Sequence, residues 1–312
     1  MSNANKSLNK ARDAKKDEFY TQLTDVAKEL LHYKEHFKDK IVLCNCDDPA
    51  WSAFWEYFHL HFAELGLKKL ISTHYEKEKE TYKMEYMGGN DKDIEVGIKT
   101  PLNGNGDFRN QECLDLLDEC DIVVTNPPFS LFRTYIAMLM EHKKKFLILG
   151  NMNAITCKEI FPLIKDNKLW YGASIHSGDR KFYVPDDYPL NASGCGIDDN
   201  GRRFIRVKGV RWFTNLDYKA RHEKLVLKKT YTPEEYQKYD NFDVINVDKY
   251  SEIPCDYDGV MGVPITFLDY YNPDQFEIIW LDGTDTSKWY GSPYLNGKQK
   301  YHRIFIRKRI VA

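Results

Sequence analysis

The residues with the plainest chemical content are Asn126-Pro127-Pro128-Phe129, which directly follow the apolar β-branched run Ile122-Val123-Val124. Such a run reads as a strand buried on both faces. The prolines end it because neither offers a ladder N–H. Asn126 and Phe129 are therefore displayed at the carboxyl end of a strand, where open α/β sheets hold their ligands. The chemistry that needs this group is methyl transfer to an exocyclic amine, whose lone pair is delocalised into an aromatic ring. Two acceptors, the Asn126 amide oxygen and the Pro127 carbonyl, would draw the amine toward tetrahedral geometry and aim its lone pair at an electrophilic methyl. Phe129 offers a flat face for a base. A Pro-Pro turn closing a strand is the competing reading of the tetrapeptide taken alone.

The elements that must position these residues follow an α/β rhythm. Residues 1–16 are polar and Lys/Asn-rich and read as a flexible arm. An amphipathic helix is expected over Leu23 to Phe37, a strand over Lys40 to Cys46 ending in Asp47-Asp48-Pro49, a helix closing at Gly66, and a strand over Lys69 to His74. That succession is a βαβ unit and implies parallel pairing. Glu76 to Asn105 interrupts it with two strand patterns, Thr81 to Met87 and Ile94 to Thr100, read as an inserted hairpin. A helix over Asn110 to Cys120, the Asn-Pro-Pro-Phe strand, a helix over Leu131 to Lys145, the apolar run Phe146 to Leu149 and a helix ending near Lys168 complete the rhythm. Beyond Trp170, short aromatic and β-branched runs separated by turn signals read as largely antiparallel.

Composition limits the function classes. The 312 residues carry a net charge of −2, with 29% charged residues and a mean hydropathy of −0.59, and contain no apolar stretch long enough for a bilayer. A cytoplasmic protein is the expectation. Seven scattered cysteines read as reduced thiols, and no second pair accompanies Cys44 and Cys46 to suggest zinc. Cys195 and Cys255 lack an evident base partner for nucleophilic chemistry. His59 and His61, two apart on a helix pattern, do not share a face, so no metal is expected. Residues 201–230 hold ten basic against two acidic residues. Arg202, Arg203, Arg206 and Lys208 lead that patch and are candidate phosphate contacts, the competing reading being a solvated edge guarded by charge.

In order along the chain, Asp17-Glu-Phe-Tyr-Thr-Gln22, Cys44-Asn-Cys-Asp-Asp-Pro49, Gly106-Asp-Phe-Arg109, Thr125-Asn-Pro-Pro-Phe-Ser130, Gly150-Asn-Met-Asn153, Arg211-Trp-Phe-Thr-Asn-Leu216 and Gly262-Val-Pro-Ile-Thr-Phe267 resemble the EcoRI-type adenine-specific DNA methyltransferases. The resemblance covers nearly the whole chain from Asp17. It implies a class I, Rossmann-like α/β fold with a mostly parallel central sheet, the hairpin insertion and an antiparallel C-terminal extension. It also implies S-adenosylmethionine as cofactor and N6 of a flipped adenine in double-stranded DNA as target. Residues 17–225 would form the catalytic domain and 226–312 a C-terminal region concerned with target recognition. Phe19, Tyr20 and Thr21 correspond to the segment closing over the methionine end of the cofactor. Asn45, Asp47, Asp48 and Pro49 correspond to the first strand end, and Asp107 and Phe108 to the pair bracketing the cofactor adenine. Asn126, Pro127, Pro128 and Phe129 would hold and activate the target base, with Trp212 and Phe213 stacking on its other face. The Gly-x-Gly loop of many such enzymes is replaced here by Asn45-Cys-Asp-Asp-Pro49, and Glu76 is the candidate for the ribose-binding acid. A monomer, with a cognate restriction endonuclease as partner, fits this reading. The same pocket chemistry would also serve cytosine N4, an RNA adenine or a protein glutamine, and a DNA-binding protein without turnover is the rival from another class.

Overall fold

Short apolar strands with β-branched residues form the middle of the fold. The computed structural model describes residues 20–76, 81–89, 92–186, 188–191, 193–281 and 291–309. The 1–16 arm and Asp17 to Phe19 lie outside them. In chain order the first strands are β1 (Ile41–Cys44), β2 (Lys69–Thr73), β3 (Tyr82–Tyr86), β4 (Ile98–Pro101), β5 (Ile122–Thr125) and β6 (Lys145–Asn151). They are followed by β7 (Trp170–Tyr171), β8 (Asp179–Tyr183), β9 (Gly196–Ile197), β10 (Arg203–Lys208) and β11 (Val210–Thr214).

The chain divides into two compact units, the first comprising Met1–Met152 and Ser177–Leu216, the second Asn153–His176 and Asp217–Ala312. This differs from the expected division at 225/226: residues 153–176 belong with the C-terminal unit although the sequence continues the α/β rhythm through them.

In the first unit the central sheet runs β4-β3-β2-β1-β5-β6-β11. β1 pairs parallel with β2 and with β5, and β5 parallel with β6. β3 is antiparallel to both β2 and β4, and β11 is antiparallel to β6. The parallel core is buried throughout: Val42, Leu43, Leu70, Ile71, Val123, Val124, Leu147 and Ile148 are at most 1% exposed, as expected of strands covered on both faces. Because β1 lies between β2 and β5, the chain leaves β1 in one direction and returns on its other side. This reversal opens a crevice at the carboxyl ends of β1 and β5. A separate antiparallel sheet, β8-β10-β9, completes the unit.

The helices are amphipathic or buried. α1 (Leu23–Leu30) is shorter than expected, and a 3-10 turn at Lys34–His36 follows it. Its apolar stripe continues past the helix end through Tyr33 and Phe37, both buried, which explains why the periodicity overran the helix. α2 (Ala53–Leu60) begins at Ser52, whose hydroxyl accepts from the Trp55 N–H at 3.2 Å. α3 (Phe62–Leu65) ends at Gly66 with φ 65°, the left-handed terminus that glycine takes without steric cost. α4 (Gln111–Glu119) precedes β5, and α5 (Phe132–Glu141) follows it through a 3-10 turn at Phe129–Leu131.

In the second unit α6 (Phe161–Lys165) replaces the longer helix expected before Lys168. β12 (Ile245–Asn246), β13 (Met261–Pro264) and β14 (Phe276–Leu281) are joined by the short hairpin β15 (Tyr294–Leu295) and β16 (Lys298–Gln299) and by β17 (Arg303–Lys308). The sheet order is β12-β13-β17-β14, with β17 antiparallel to both of its neighbours. Among the described residues no helix is long and apolar enough to cross a membrane.

Candidate active site

The carboxyl end of β1 carries the turn that stands where a glycine loop is common. Cys46 adopts φ 67°, a left-handed conformation unusual for a residue with a Cβ. The turn is held by side chains around it: the Thr125 hydroxyl donates to the Asn45 carbonyl, and the Tyr135 hydroxyl to Asn45 Oδ1. Asp47 is buried and accepts from Ser52 Oγ at 2.9 Å. Burial pushes its carboxyl up to about 7, with Asp48 adding to the rise and the Ser52 bond opposing it. Asp48 Oδ1 accepts from the Ala50 N–H at 2.9 Å and the Tyr82 hydroxyl at 2.7 Å. Pro49 is buried behind them.

The register of β1 and β5 pairs Val42 with Ile122 and Leu43 with Val123. Extended past the strand ends, it brings Asn45 beside Thr125 and the Cys46 turn beside Asn126. Asn126 is 4% exposed, Pro127 and Pro128 are buried, and Phe129 is half-buried. The Leu131 N–H donates to the Pro128 carbonyl at 2.9 Å, so the chain turns into the next helix immediately after the prolines. The Phe129 ring stands perpendicular to that of Phe182, with centroids 6.5 Å apart.

A third segment reaches the same edge. Gly106 has φ +72°, and a Cβ there would fall 1.8 Å from the His74 carbonyl oxygen, so only glycine permits this approach. Asp107, next in the chain, is held by Arg109, with contacts of 2.8 Å to Nε and 2.5 Å to Nη2. Phe108 is buried and meets the Tyr135 ring edge-on at 4.9 Å. Tyr135 thus touches both Phe108 and Asn45.

Tyr20 exchanges two backbone hydrogen bonds with Tyr183, both 3.0 Å. This bridge lays the N-terminal segment along β8, next to Phe182 and hence near Phe129. Thr21 is buried, and its Oγ1 has no hydrogen-bond partner among the described residues. Phe19 lies outside them.

Two sequence expectations are corrected by placement. Trp212 and Phe213 are 1% and 0% exposed. They lie in β11, in register with Leu149 and Ile148. Trp212 packs edge-on against Phe54 at 6.0 Å, and Phe213 against Phe132 at 4.9 Å. Consecutive strand residues face opposite sides of a sheet, and this strand is covered on both, so neither ring is open to a base. Arg203 also departs from its expected place on the basic patch. It alternates with Ile205 and Val207 on the inward side of β10, and its Nη2 donates to the Tyr188 carbonyl at 2.8 Å. Arg206 and Lys208 are exposed on the opposite side of β10, and Arg202 is exposed just before it. Arg206 pairs with Asp179 at 3.1 Å, and Arg202 with the Tyr183 hydroxyl at 2.6 Å and Asp198 at 3.5 Å. Exposed pairs of this kind contribute at most about 1 kcal/mol and can be exchanged for phosphate.

His59 and His61 make structural contacts. His59 is buried, stacked on Tyr86 at 3.9 Å, with Nε2 3.0 Å from the Val96 carbonyl. His61 pairs with Glu64 at 2.7 Å. At the end of β2, Glu76 is half-buried and its N–H donates to the Asn105 carbonyl at 3.0 Å. His74, which the sequence reading passed over, is buried between this strand end and the Gly106 turn.

A parallel α/β core whose switch point gathers the Asn45 to Pro49 turn, the Gly106 turn and the Asn-Pro-Pro-Phe edge defines a protein of the methyltransferase class. Comparison with known proteins specifies it further. Residues 7–309 match the family described as adenine-specific methyltransferase EcoRI. The type II methyltransferase M.EcoRI of Escherichia coli is 47% identical over 98% of this chain and 97% of its own. M.MpnI of Mycoplasma pneumoniae is 40% identical over 97% of this chain and 98% of its own, and M.MgeORF184P of Mycoplasma genitalium is 37% identical over the same shares. No solved structure matches. The chain belongs to the EcoRI family of adenine-specific methyltransferases, and its reaction is site-specific methylation of adenine in DNA.

Proposed function

We propose that the protein takes S-adenosylmethionine into the crevice at the carboxyl ends of β1, β2 and β5 and methylates N6 of an adenine rotated out of duplex DNA. The observation that carries this reading is the juxtaposition of Asn126 to Phe129 with the Asn45 to Pro49 turn in the β1–β5 register. The residues fit the cofactor: a buried Thr21 hydroxyl without a partner among the described residues, a buried Asp47, and the Gly106 turn presenting Asp107 and Phe108. Tyr20 and Thr21 would face the methionine end, with Phe19 as the preceding residue of the same segment. Asn45 to Pro49 would form the floor. Asp107, oriented by the Arg109 fork, would take the adenine amino group, with Phe108 against its ring. When bound, the cofactor supplies an electrophilic methyl on a sulfonium.

The chain's own contribution is orientation. The target amine is otherwise paired inside the duplex, so the adenine must leave the stack. The Asn126 amide oxygen and the Pro127 carbonyl accept its two N–H bonds and stabilise the positive charge that develops on nitrogen. Phe129 supports the ring, and Pro128 locks the turn that presents it. Phe182, itself buried, stands perpendicular to Phe129 and braces that ring. No general base is required at the attack step, because the alkylated nitrogen is acidic and releases its proton afterwards. Arg202, Arg206 and Lys208 supply phosphate contacts. The β3–β4 hairpin is an insertion between β2 and the strand that carries the target site. The enzyme acts as a monomer, and a restriction endonuclease of matching specificity is its expected partner.

Incubating the purified protein with tritiated S-adenosylmethionine and unmethylated duplex DNA, then analysing nucleosides, tests the whole reading. Label in N6-methyldeoxyadenosine is the expected product. Label in N4-methylcytosine, in RNA or in protein would refute the substrate assignment.

A further inference from the structure

The end of β2 holds a buried imidazole that none of the roles above uses. Ser72 Oγ donates to the Cys44 carbonyl at 2.8 Å and lies 3.3 Å from the Asp47 carbonyl, so this side of β2 looks toward the β1 turn. His74, two residues further on, continues that side. From the other flank the Gly106 turn rests directly on the His74 backbone. His74 therefore sits between the two segments assigned to the cofactor, the Asn45 to Pro49 turn and the loop bearing Asp107 and Phe108.

The imidazole is positioned by its neighbours and incompletely satisfied by them. His74 is 7% exposed. Its Nε2 lies 3.7 Å from Asp48 Oδ2, while Asp48 Oδ1 accepts from the Tyr82 hydroxyl at 2.7 Å. The Tyr82 ring meets the imidazole edge-on at 4.8 Å, and Lys99 Nζ lies over the Tyr82 ring, 3.7 Å from its centroid. His74 Nδ1 is buried with no hydrogen-bond partner among the described residues. A buried ring nitrogen left unpaired costs free energy that a ligand hydroxyl would recover. Burial lowers the imidazole's proton affinity, with Asp48 and Glu76 opposing and Lys99 assisting, so the ring is neutral and one nitrogen can accept. Glu76 offers less: it is half-buried, and a partly solvated carboxylate gains little from exchanging water for a hydroxyl.

We propose that His74, held by Asp48 and Tyr82, receives a ribose hydroxyl of the cofactor, the role for which Glu76 is the sequence candidate. The site thus uses a neutral acceptor where an acid was expected. This assignment rests on the cofactor reading above, and the following experiment separates the two.

Calorimetric titration of the purified protein with S-adenosylhomocysteine and with its 2′,3′-dideoxy analogue reads the contact without turnover. The wild type should bind the dideoxy compound roughly tenfold more weakly, the worth of one net hydrogen bond. His74→Phe keeps an aromatic body but no acceptor; it should bind S-adenosylhomocysteine about tenfold more weakly and no longer distinguish the two compounds. A His74→Phe protein that discriminates as the wild type does, or loss of discrimination in Glu76→Gln instead, would overturn the proposal. Should His74→Phe not fold, His74→Gln, which retains an amide acceptor, is expected to keep part of the preference. A wild type with no preference overturns the proposal without any variant. Failure of the wild type to bind S-adenosylhomocysteine at all is a different result and removes the cofactor reading itself.

Discussion

Replacing Asp47 with asparagine should stabilise the protein, and by an amount that depends on pH. Asp47 is 4% exposed, and its carboxyl rises from an ordinary 3.8 to about 7, mainly because burial disfavours the ion. Between those values the folded state holds a proton that the unfolded chain has released, so stability falls as pH rises and the loss is complete above the folded value. At roughly 1.4 kcal/mol per pH unit, the span corresponds to about 4 kcal/mol. Asparagine has nearly the same shape, can accept from Ser52 Oγ as the carboxylate does at 2.9 Å, and does not ionise. Urea denaturation of wild type and Asp47→Asn should therefore give similar stabilities near pH ~4 and diverge toward pH ~8, with the variant the more stable by up to about 4 kcal/mol. The same variant should bind S-adenosylhomocysteine more weakly, because sites built for ligands sacrifice stability to hold such groups. A stability difference that does not change with pH would refute the buried-ion argument. A pH-dependent difference with unchanged ligand affinity would leave that argument standing but remove Asp47 from the binding site.

Three further outcomes test the assignments. Asn126→Ala should lower kcat by roughly 10²- to 10³-fold while S-adenosylhomocysteine affinity stays near wild type; equal losses in both would contradict its role at the target amine. Asp107→Ala should show the opposite division, weaker binding measured by calorimetry with a smaller effect on saturated turnover. Reversing charge at Arg206 and Lys208 should weaken DNA binding and reduce the slope of log affinity against log salt by about 2, and an unchanged slope in filter binding would place that face of β10 off the interface.

The sequence made the β5 edge legible because proline terminates a strand by chemistry rather than by context. The expected run into Asn126 agrees with β5 at Ile122–Thr125, and the β1, β2 and β6 runs were likewise visible as apolar segments with β-branched residues. The position of Trp212 and Phe213 was not legible. Val210 to Thr214 is buried at every residue, but Arg211 within it, 3% exposed and donating to the Val210 carbonyl, disguises the continuous burial that would have marked a core strand. Arg203 was misplaced for the opposite reason: counting charges over residues 201–230 ignores the period-2 alternation that turns it inward beside Ile205 and Val207. His74 was missed because Thr73-His-Tyr reads as a strand end. Its proposed role depends on Gly106 and Asp48, which only the fold brings to it. The grouping of residues 153–176 with the C-terminal unit is a long-range property with no local signal.

The Asn45 to Pro49 turn shows how this chain manages without a glycine loop. A non-glycine residue in the left-handed region costs on the order of 1–2 kcal/mol, and Cys46 occupies it at φ 67°. The conformation persists because neighbouring elements hold the turn: Thr125 from β5 and Tyr135 from α5 bind Asn45, Ser52 at the start of α2 binds Asp47, and Tyr82 from β3 binds Asp48. A glycine loop takes such a shape by its own freedom and is then coupled to little else. Here the shape depends on Thr125, the residue immediately before Asn126, and on Tyr135, which also packs against Phe108. The segments proposed as cofactor floor, adenine clamp and target-amine site therefore share one set of supports, so a displacement of the β1 turn is transmitted to Asn126.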